Sequence, residues 1–227
     1  MMNMNYSIQN KSSMAEKIHQ IRQQLPTDVR LIAISKQVAV EKIREAYDLG
    51  IRDFGENRVQ EALTKQEQLQ DLKDICWHFI GHLQKNKAKQ VVESMTWIHS
   101  VDDFKLLQRL NRLGGELKKQ PKICLQVKLL PDPNKYGWSV EELLAAVPDL
   151  ETCQHVDIQG LMTILPLGLS EAEIFSAFLE MGKLKDKINE NSQLQLQELS
   201  MGMSGDYLLA VKAGATMIRL GRIIFRG

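Results

Sequence analysis

Short apolar segments alternate with longer stretches of helical periodicity from residue 29 almost to the C-terminus, and few folds accept that pattern. Residues 29–34 are apolar and rich in β-branched side chains, and 40–49 follow with helical spacing until Gly50 ends them. The alternation recurs, with further strands expected at 52–54, 77–80, 97–99, 123–129, 158–162, 198–200 and 217–220. Helices are expected from 58 and over 84–93, 102–118, 139–147, 170–188 and 206–213; Ser139, followed by Glu141 and Glu142, suits a helix N-terminus. Eight such units in 227 residues favour a single (β/α)8 TIM barrel over an open doubly wound sheet, the more so because no G-x-G-x-x-G follows the first strand. An extra N-terminal helix over 14–25, stopped by Pro26, precedes the first strand. No Pro/Gly/Ser-rich linker breaks the series, so residues 1–227 are read as one domain, with the connections at 131–137 and 166–168 as loops at the barrel mouth.

Charge then narrows the partner classes. With 29 Lys+Arg against 28 Asp+Glu, the net charge of +1 gives no broad field toward nucleic acid or an anionic membrane, so any bound anion must be held locally. Residues 1–10 lack the basic flank and apolar core of a signal peptide, and no run of about eighteen apolar residues occurs; a cytoplasmic protein is expected. Cys76, Cys124 and Cys153 are odd in number, widely spaced and set among apolar residues, which implies neither a disulfide framework nor a zinc site.

In a barrel of this kind the working residues stand at the carboxyl ends of the strands, and phosphate is commonly held after strands seven and eight. That map brings Ser35 and Lys36, Asn57, His82, Thr163, the glycine-rich run Ser200-Met201-Gly202-Met203-Ser204-Gly205-Asp206, and Gly221 to one mouth. An amine at the end of an apolar strand is expected to be desolvated and pushed toward its neutral, nucleophilic form, which makes Lys36 a candidate for Schiff-base chemistry; the plainer reading is a lysine pointing into water. The Ser200–Asp206 run reads as an anion cradle leading into a helix N-terminus, or as a strand-to-helix turn that needs no ligand.

Arg219 alternates with Ile218 and Leu220, so it faces away from two apolar neighbours and requires a partner: an interior carboxylate, or a ligand. Asn57 suits the mouth or the N-cap of the following helix. His78 and His82 are ambiguous in the same way, and no spacing of metal-ligand type surrounds them. Lys85, Lys87 and Lys89 spread around their helix as a solvated face.

Taken together, these residues resemble the YggS/PROSC type of pyridoxal phosphate homeostasis proteins, relatives of the alanine racemase barrel. The resemblance rests on Ala33-Ile34-Ser35-Lys36, Phe54-Gly55-Glu56-Asn57-Arg58, His78-Phe79-Ile80-Gly81-His82-Leu83-Gln84, Lys135-Tyr136-Gly137, Gly160-Leu161-Met162, Ser200-Met201-Gly202-Met203-Ser204 and Ile218-Arg219-Leu220-Gly221. The family often carries two acidic residues after the second serine, where this chain has Gly205 and then Asp206.

The resemblance implies that Lys36 holds pyridoxal 5′-phosphate as a Schiff base. It places Ser204, Gly205 and Gly221 at the phosphate, Asn57 beside the ring, Ser200, Met201 and Met203 along the pocket, and Arg219 against the pyridine nitrogen. A guanidinium gives up no proton at neutral pH, so that nitrogen is expected to stay unprotonated and the ring to be a weak electron sink. A racemase also needs a group on the second face of its substrate; the tyrosine that a second racemase domain supplies is not expected here, and Tyr136 and Tyr207 are the local substitutes. The expectation is therefore a carrier that influences vitamin B6 and amino-acid balance without turnover, with pyridoxal-dependent apoenzymes as candidate partners and a monomer as its state. The alternatives are an amino-acid racemase using Lys36 as base, and a phosphate-binding barrel that uses no pyridoxal.

Overall fold

The computed structural model describes residues 12–132 and 135–226; residues 1–11, residue 227, and Pro133 and Asn134 within the expected mouth loop lie outside it. Helix α1 (Met14–Gln24) starts at a capping box in which Ser13 accepts from the Glu16 N–H and the Glu16 carboxylate accepts from the Ser13 N–H. The barrel follows in strict alternation: β1 (Arg30–Ile34), α2 (Val40–Asp48), β2 (Asp53–Glu56), α3 (Val59–Gln68), β3 (Cys76–Phe79), α4 (Ala88–Ser94), β4 (Trp97–Val101) and α5 (Phe104–Leu117). The second half supplies β5 (Lys122–Gln126), α6 (Val140–Leu150), β6 (Asp157–Met162), α7 (Glu171–Asn191), β7 (Glu198–Ser200), α8 (Tyr207–Lys212), β8 (Met217–Leu220) and α9 (Arg222–Phe225). Each strand pairs in parallel with the next and β8 pairs with β1, so the sheet closes on itself as the alternation predicts.

The departures from the sequence expectation have local causes. β5 stops at Gln126, short of 129, because the chain folds back there: Trp138 donates its N–H to the Gln126 carbonyl and its indole N–H to the Val101 carbonyl. α6 runs through Pro148 to Leu150, which is buried against the core and anchors the last turn. A 3-10 turn over Lys85–Lys87 precedes α4, where one continuous helix is expected, and α9 is an extra turn packed against α1.

Alternation along the strands sorts the side chains into two shells. Ala33, Phe54, Phe79, Ile98, Leu161 and Ile218 belong to the large core between sheet and helices. Ile32, Ile34, Trp97, Cys124, Met162 and Met217 form a separate cluster inside the barrel. That inward phase, continued beyond the strand ends, brings Lys36 after Ile34, Asn57 after Gly55, and Gly221 after Arg219 to the inner side of the mouth. Gly160 shows how tightly the wall is closed: a β-carbon there would lie 2.0 Å from the Glu198 carbonyl oxygen on β7. Backbone cannot yield as a side-chain tip does, so Gly160→Ala is expected to cost about 3 kcal/mol or more, read as a lowered urea midpoint.

Candidate functional site

Lys36 is held by its neighbours. The ladder of β1 ends where the Ser35 N–H donates to the Gly55 carbonyl, and Lys36 and Gln37 then form a turn in which Gln37 takes a left-handed φ of 58°. Behind the wall, Lys65 on α3 donates to the Ser35 carbonyl (2.7 Å), Glu56 Oε1 (2.8 Å) and Glu61 Oε1 (2.6 Å). Glu61 in turn accepts from the Gln37 N–H (2.5 Å), and Ser35 Oγ donates to Glu56 Oε1 (2.6 Å). The residues on both sides of Lys36 are thus tied to one buried ionic cluster. Glu56 is fully buried, its Oε2 has no partner among the described residues, and burial raises its carboxyl above the ordinary range against the lowering pull of Lys65 and Ser35. Lys36 itself is exposed, so the expected desolvation of its amine is not found: the ladder stops one residue too early to carry it inside the wall.

Across the mouth, Gly202 has a φ of +92°, and a β-carbon on it would lie 2.6 Å from Ala210 Cβ, so this turn requires glycine. Asp206 braces the loop by accepting from the Met203 N–H (2.6 Å). Among the described residues, the Ser204 and Gly205 N–H groups donate to no protein acceptor; Ser204 is half-buried and Gly205 exposed with open space around it. Gly221 lies against the end of β1, its β-carbon position 3.2 Å from the Ile34 carbonyl, two residues before Lys36. α8 has six residues and α9 four, so the macrodipole is smaller here than expected, and what the loop offers an anion is its free N–H groups. Met201 is buried and Met203 half-buried on the same loop.

Below this rim Arg219 is 4% exposed. Its guanidinium donates to Ser200 Oγ (2.7 Å) and to the Thr163 carbonyl (2.8 Å), and no carboxylate lies within ion-pair distance among the described residues. Burial pushes its pKa down to about 10, with the Asp206 charge opposing, so it remains a cation at neutral pH. Ser200 continues to His99 (2.8 Å), His99 to His78 (2.8 Å), and His78 to Asp53 (2.9 Å) at the opposite end of the barrel. Burial lowers both imidazoles below their ordinary value, His99 further than His78.

The structure also gathers Asp53, Cys76 and His78 within reach of a common point, a grouping the sequence spacing did not suggest. Arg30 lies 3.9 Å from Asp53, and burial pushes the Cys76 thiol up to about 11, so hydrogen bonding with a neutral thiol accounts for the group.

Other candidates separate. Asn57 is not the N-cap of α3, a place taken by Arg58; its backbone instead crosses where a β-carbon on Gly81 would be 2.3 Å from the Asn57 carbonyl oxygen. Tyr207 donates its hydroxyl to Gln24 on α1 (2.6 Å), outside the mouth, while Tyr136 is 58% exposed and stacks on His82 at 3.8 Å. Lys85 and Lys89 pair at long range with Asp103 and Glu93, as a solvated face should. Lys65, Glu61 and His99 escaped the sequence reading; His99 alone carried a usable signal, the same inward phase that singled out Arg219.

Known proteins share this sequence and architecture. Residues 9–227 match the family described as "Alanine racemase, N-terminal domain". A "Pyridoxal phosphate homeostasis protein" of Synechocystis sp. is 55% identical over 201 residues, covering 88% of this chain and 92% of that relative. The structure of PipY from Synechococcus elongatus with PLP bound superimposes with a TM-score of 0.91 at 51% identity, covering 94% of this chain and all of that one. An alanine racemase of Clostridium difficile shares the fold alone, at 14% identity and a TM-score of 0.75, and this chain spans 56% of it. No helix among the described residues is long and apolar enough to cross a membrane. On sequence and architecture alike, the chain belongs to the alanine racemase N-terminal domain family, among relatives named pyridoxal phosphate homeostasis proteins.

Proposed function

We propose that this protein binds pyridoxal 5′-phosphate as a Schiff base on Lys36 and serves pyridoxal phosphate (vitamin B6) and amino-acid homeostasis without catalytic turnover. The observation that carries this reading is Arg219, a buried cation whose protein partners are a hydroxyl and a carbonyl, set beneath a mouth that offers an amine on one side and acceptor-free N–H groups on the other. A ring nitrogen, an aldehyde and a phosphate match those three features in that order. Ser204, Gly205 and Gly221 hold the phosphate, Asn57 stands beside the ring, and Ser200, Met201 and Met203 line the pocket under Arg219. The names of the Synechocystis relative and of the PLP-bound PipY structure support the same cofactor.

When bound, the cofactor supplies an electrophilic aldehyde and a conjugated ring. Arg219 donates to the ring nitrogen and keeps its own protons, so it does not create the pyridinium that carbanion chemistry draws on. This is why we place the protein among carriers and not racemases, and why pyridoxal-dependent apoenzymes are its proposed recipients. We further propose a single-domain, monomeric, cytoplasmic protein.

Purified protein incubated with pyridoxal 5′-phosphate is expected to turn yellow, and borohydride is expected to fix the cofactor's mass to Lys36. Lys36→Ala should lose both signals while keeping its circular dichroism, since an exposed rim residue contributes little to packing. A colourless wild-type protein with no fixed adduct defeats the reading, and multiple-turnover racemisation of alanine that disappears in Lys36→Ala would replace it with the racemase.

A further inference from the structure

A TIM barrel interior is ordinarily filled with branched apolar side chains. This one buries two imidazoles, a hydroxyl and a guanidinium in a single file from the rim side to the floor. With both imidazoles neutral, the direction of every hydrogen bond in that file follows from the acceptor at its floor. Arg219 can only donate, so Ser200 Oγ accepts from it and has its own proton available for His99 Nδ1. At the floor the Asp53 carboxylate can only accept, so His78 carries its proton on Nε2 and leaves Nδ1 as an acceptor. Between them, a neutral His99 donates from Nε2 to His78 Nδ1, which leaves its Nδ1 to accept the Ser200 proton.

We propose that His78 and His99 are positioning residues that act through Ser200 on Arg219, linking the guanidinium by a one-way hydrogen-bond chain to Asp53 at the far end of the barrel. The inference rests on the proposed function, in which Arg219 meets the ring nitrogen. Its physical sense lies in where the negative charge stands. A carboxylate beside Arg219 would pair with the guanidinium fork and take the donors that a ligand needs. A carboxylate set beyond three intervening residues, joined by aligned dipoles, favours the buried cation without taking up the guanidinium fork. The groups facing the chain fit that purpose. Trp97 stacks on His78 with rings 5° from parallel at 5.9 Å, and Arg30 and Lys122 each lie 5.3 Å from the Trp97 ring at the floor. Arg30 is also 3.9 Å from both Asp53 and Glu198, so the floor carboxylates face a cation.

Two measurements test the chain. Long-range 15N correlation spectra of the protein alone at neutral pH are expected to show both imidazoles neutral and protonated on Nε2; an Nδ1 proton on either ring overturns the proposal, whatever the protein binds. Titration with pyridoxal 5′-phosphate should then separate orientation from packing. His99→Leu is expected to fold with a melting temperature close to wild type but to bind at least about tenfold more weakly. His99→Gln, whose amide can accept from Ser200 and donate to His78, should recover most of that loss. Binding by His99→Leu within twofold of wild type, or a Gln variant no better than the Leu variant, reduces the file to core packing and refutes the positioning role. Should His99→Leu fail to fold, the tautomers and the Gln variant decide. Failure of wild-type protein to take up the cofactor would end the proposed function and leave the tautomer result to decide the chain.

Discussion

Replacing Lys65 by methionine is expected to destabilise the protein by about 3–5 kcal/mol, the range seen when one partner of a buried ion pair is removed. Lys65 lies in the outer wall, 7% exposed in its side chain, against a Glu56 side chain that is fully buried. Among the described residues its ammonium is the one group that joins Glu56, Glu61 and the Ser35 carbonyl, and Glu56 Oε2 has no partner, so its loss strands a carboxylate already short of one contact. Cofactor retention should fall as well, because the Ser35 carbonyl and the Glu61 acceptor of the Gln37 N–H are what hold the turn carrying Lys36. Glu56→Leu combined with Lys65→Met removes charge and counter-charge together and is expected to regain most of the stability. If the single variant melts with wild type, the cluster is not what fixes this turn.

The pH dependence gives an independent check. Burial holds the Glu56 carboxyl above its ordinary range. The folded chain therefore keeps that proton over a window in which the unfolded chain has released it, and this group's contribution to stability declines as pH rises through the window. Removing Lys65 takes away a group that lowers the value, so the window extends upward. The methionine variant should lie nearest to wild type in mild acid and furthest from it above neutrality, a trend that urea midpoints at roughly pH 5 and pH 8 would reveal. The opposite trend would mean that Glu56 is not the group left exposed to the loss.

The barrel could be read from the chain because its signals are periodic and local. Short β-branched runs separated by helical spacing recur eight times, and a closed parallel sheet is the architecture that uses all of them. Period-two alternation also placed Arg219 inside the wall, and applied to β3 and β4 it would have placed His78 and His99 there too. What alternation cannot supply is the level at which a ladder stops. Lys36 has the right phase to point inward, yet one more paired residue on β1 would have been needed to desolvate it. The Lys65 cluster was illegible for another reason: it depends on how α3 lies over β2, and a lysine at helical spacing from Glu61 reads as an ordinary surface pair. The helix-dipole expectation after β7 failed on length, since the glycine and Asp206 that shape the loop also delay the helix until Tyr207.

Arg219→Leu carries the largest expected separation between stability and function. Burial lowers the guanidinium pKa to about 10, which leaves it charged at neutral pH, and its contacts are a serine hydroxyl and a backbone carbonyl. A leucine there relieves a desolvated charge and joins Met162 and Met217 in the apolar cluster, so the protein without cofactor should melt no lower than wild type and by the buried-charge precedent about 1 kcal/mol higher. Ser200 Oγ and the Thr163 carbonyl each lose a donor, while Ser200 keeps His99 as a partner for its own proton. Pyridoxal 5′-phosphate binding should nevertheless fall by at least about tenfold, since a hydrogen bond from a charged donor is worth about 1.5–3 kcal/mol. Arg219→Lys should recover the charge without the planar fork and bind between the two. A residue that costs the barrel stability and strengthens only the liganded state is placed there for the ligand. A leucine variant that is less stable yet binds as well as wild type would make Arg219 a strut of the barrel wall and would move the ring-nitrogen contact elsewhere.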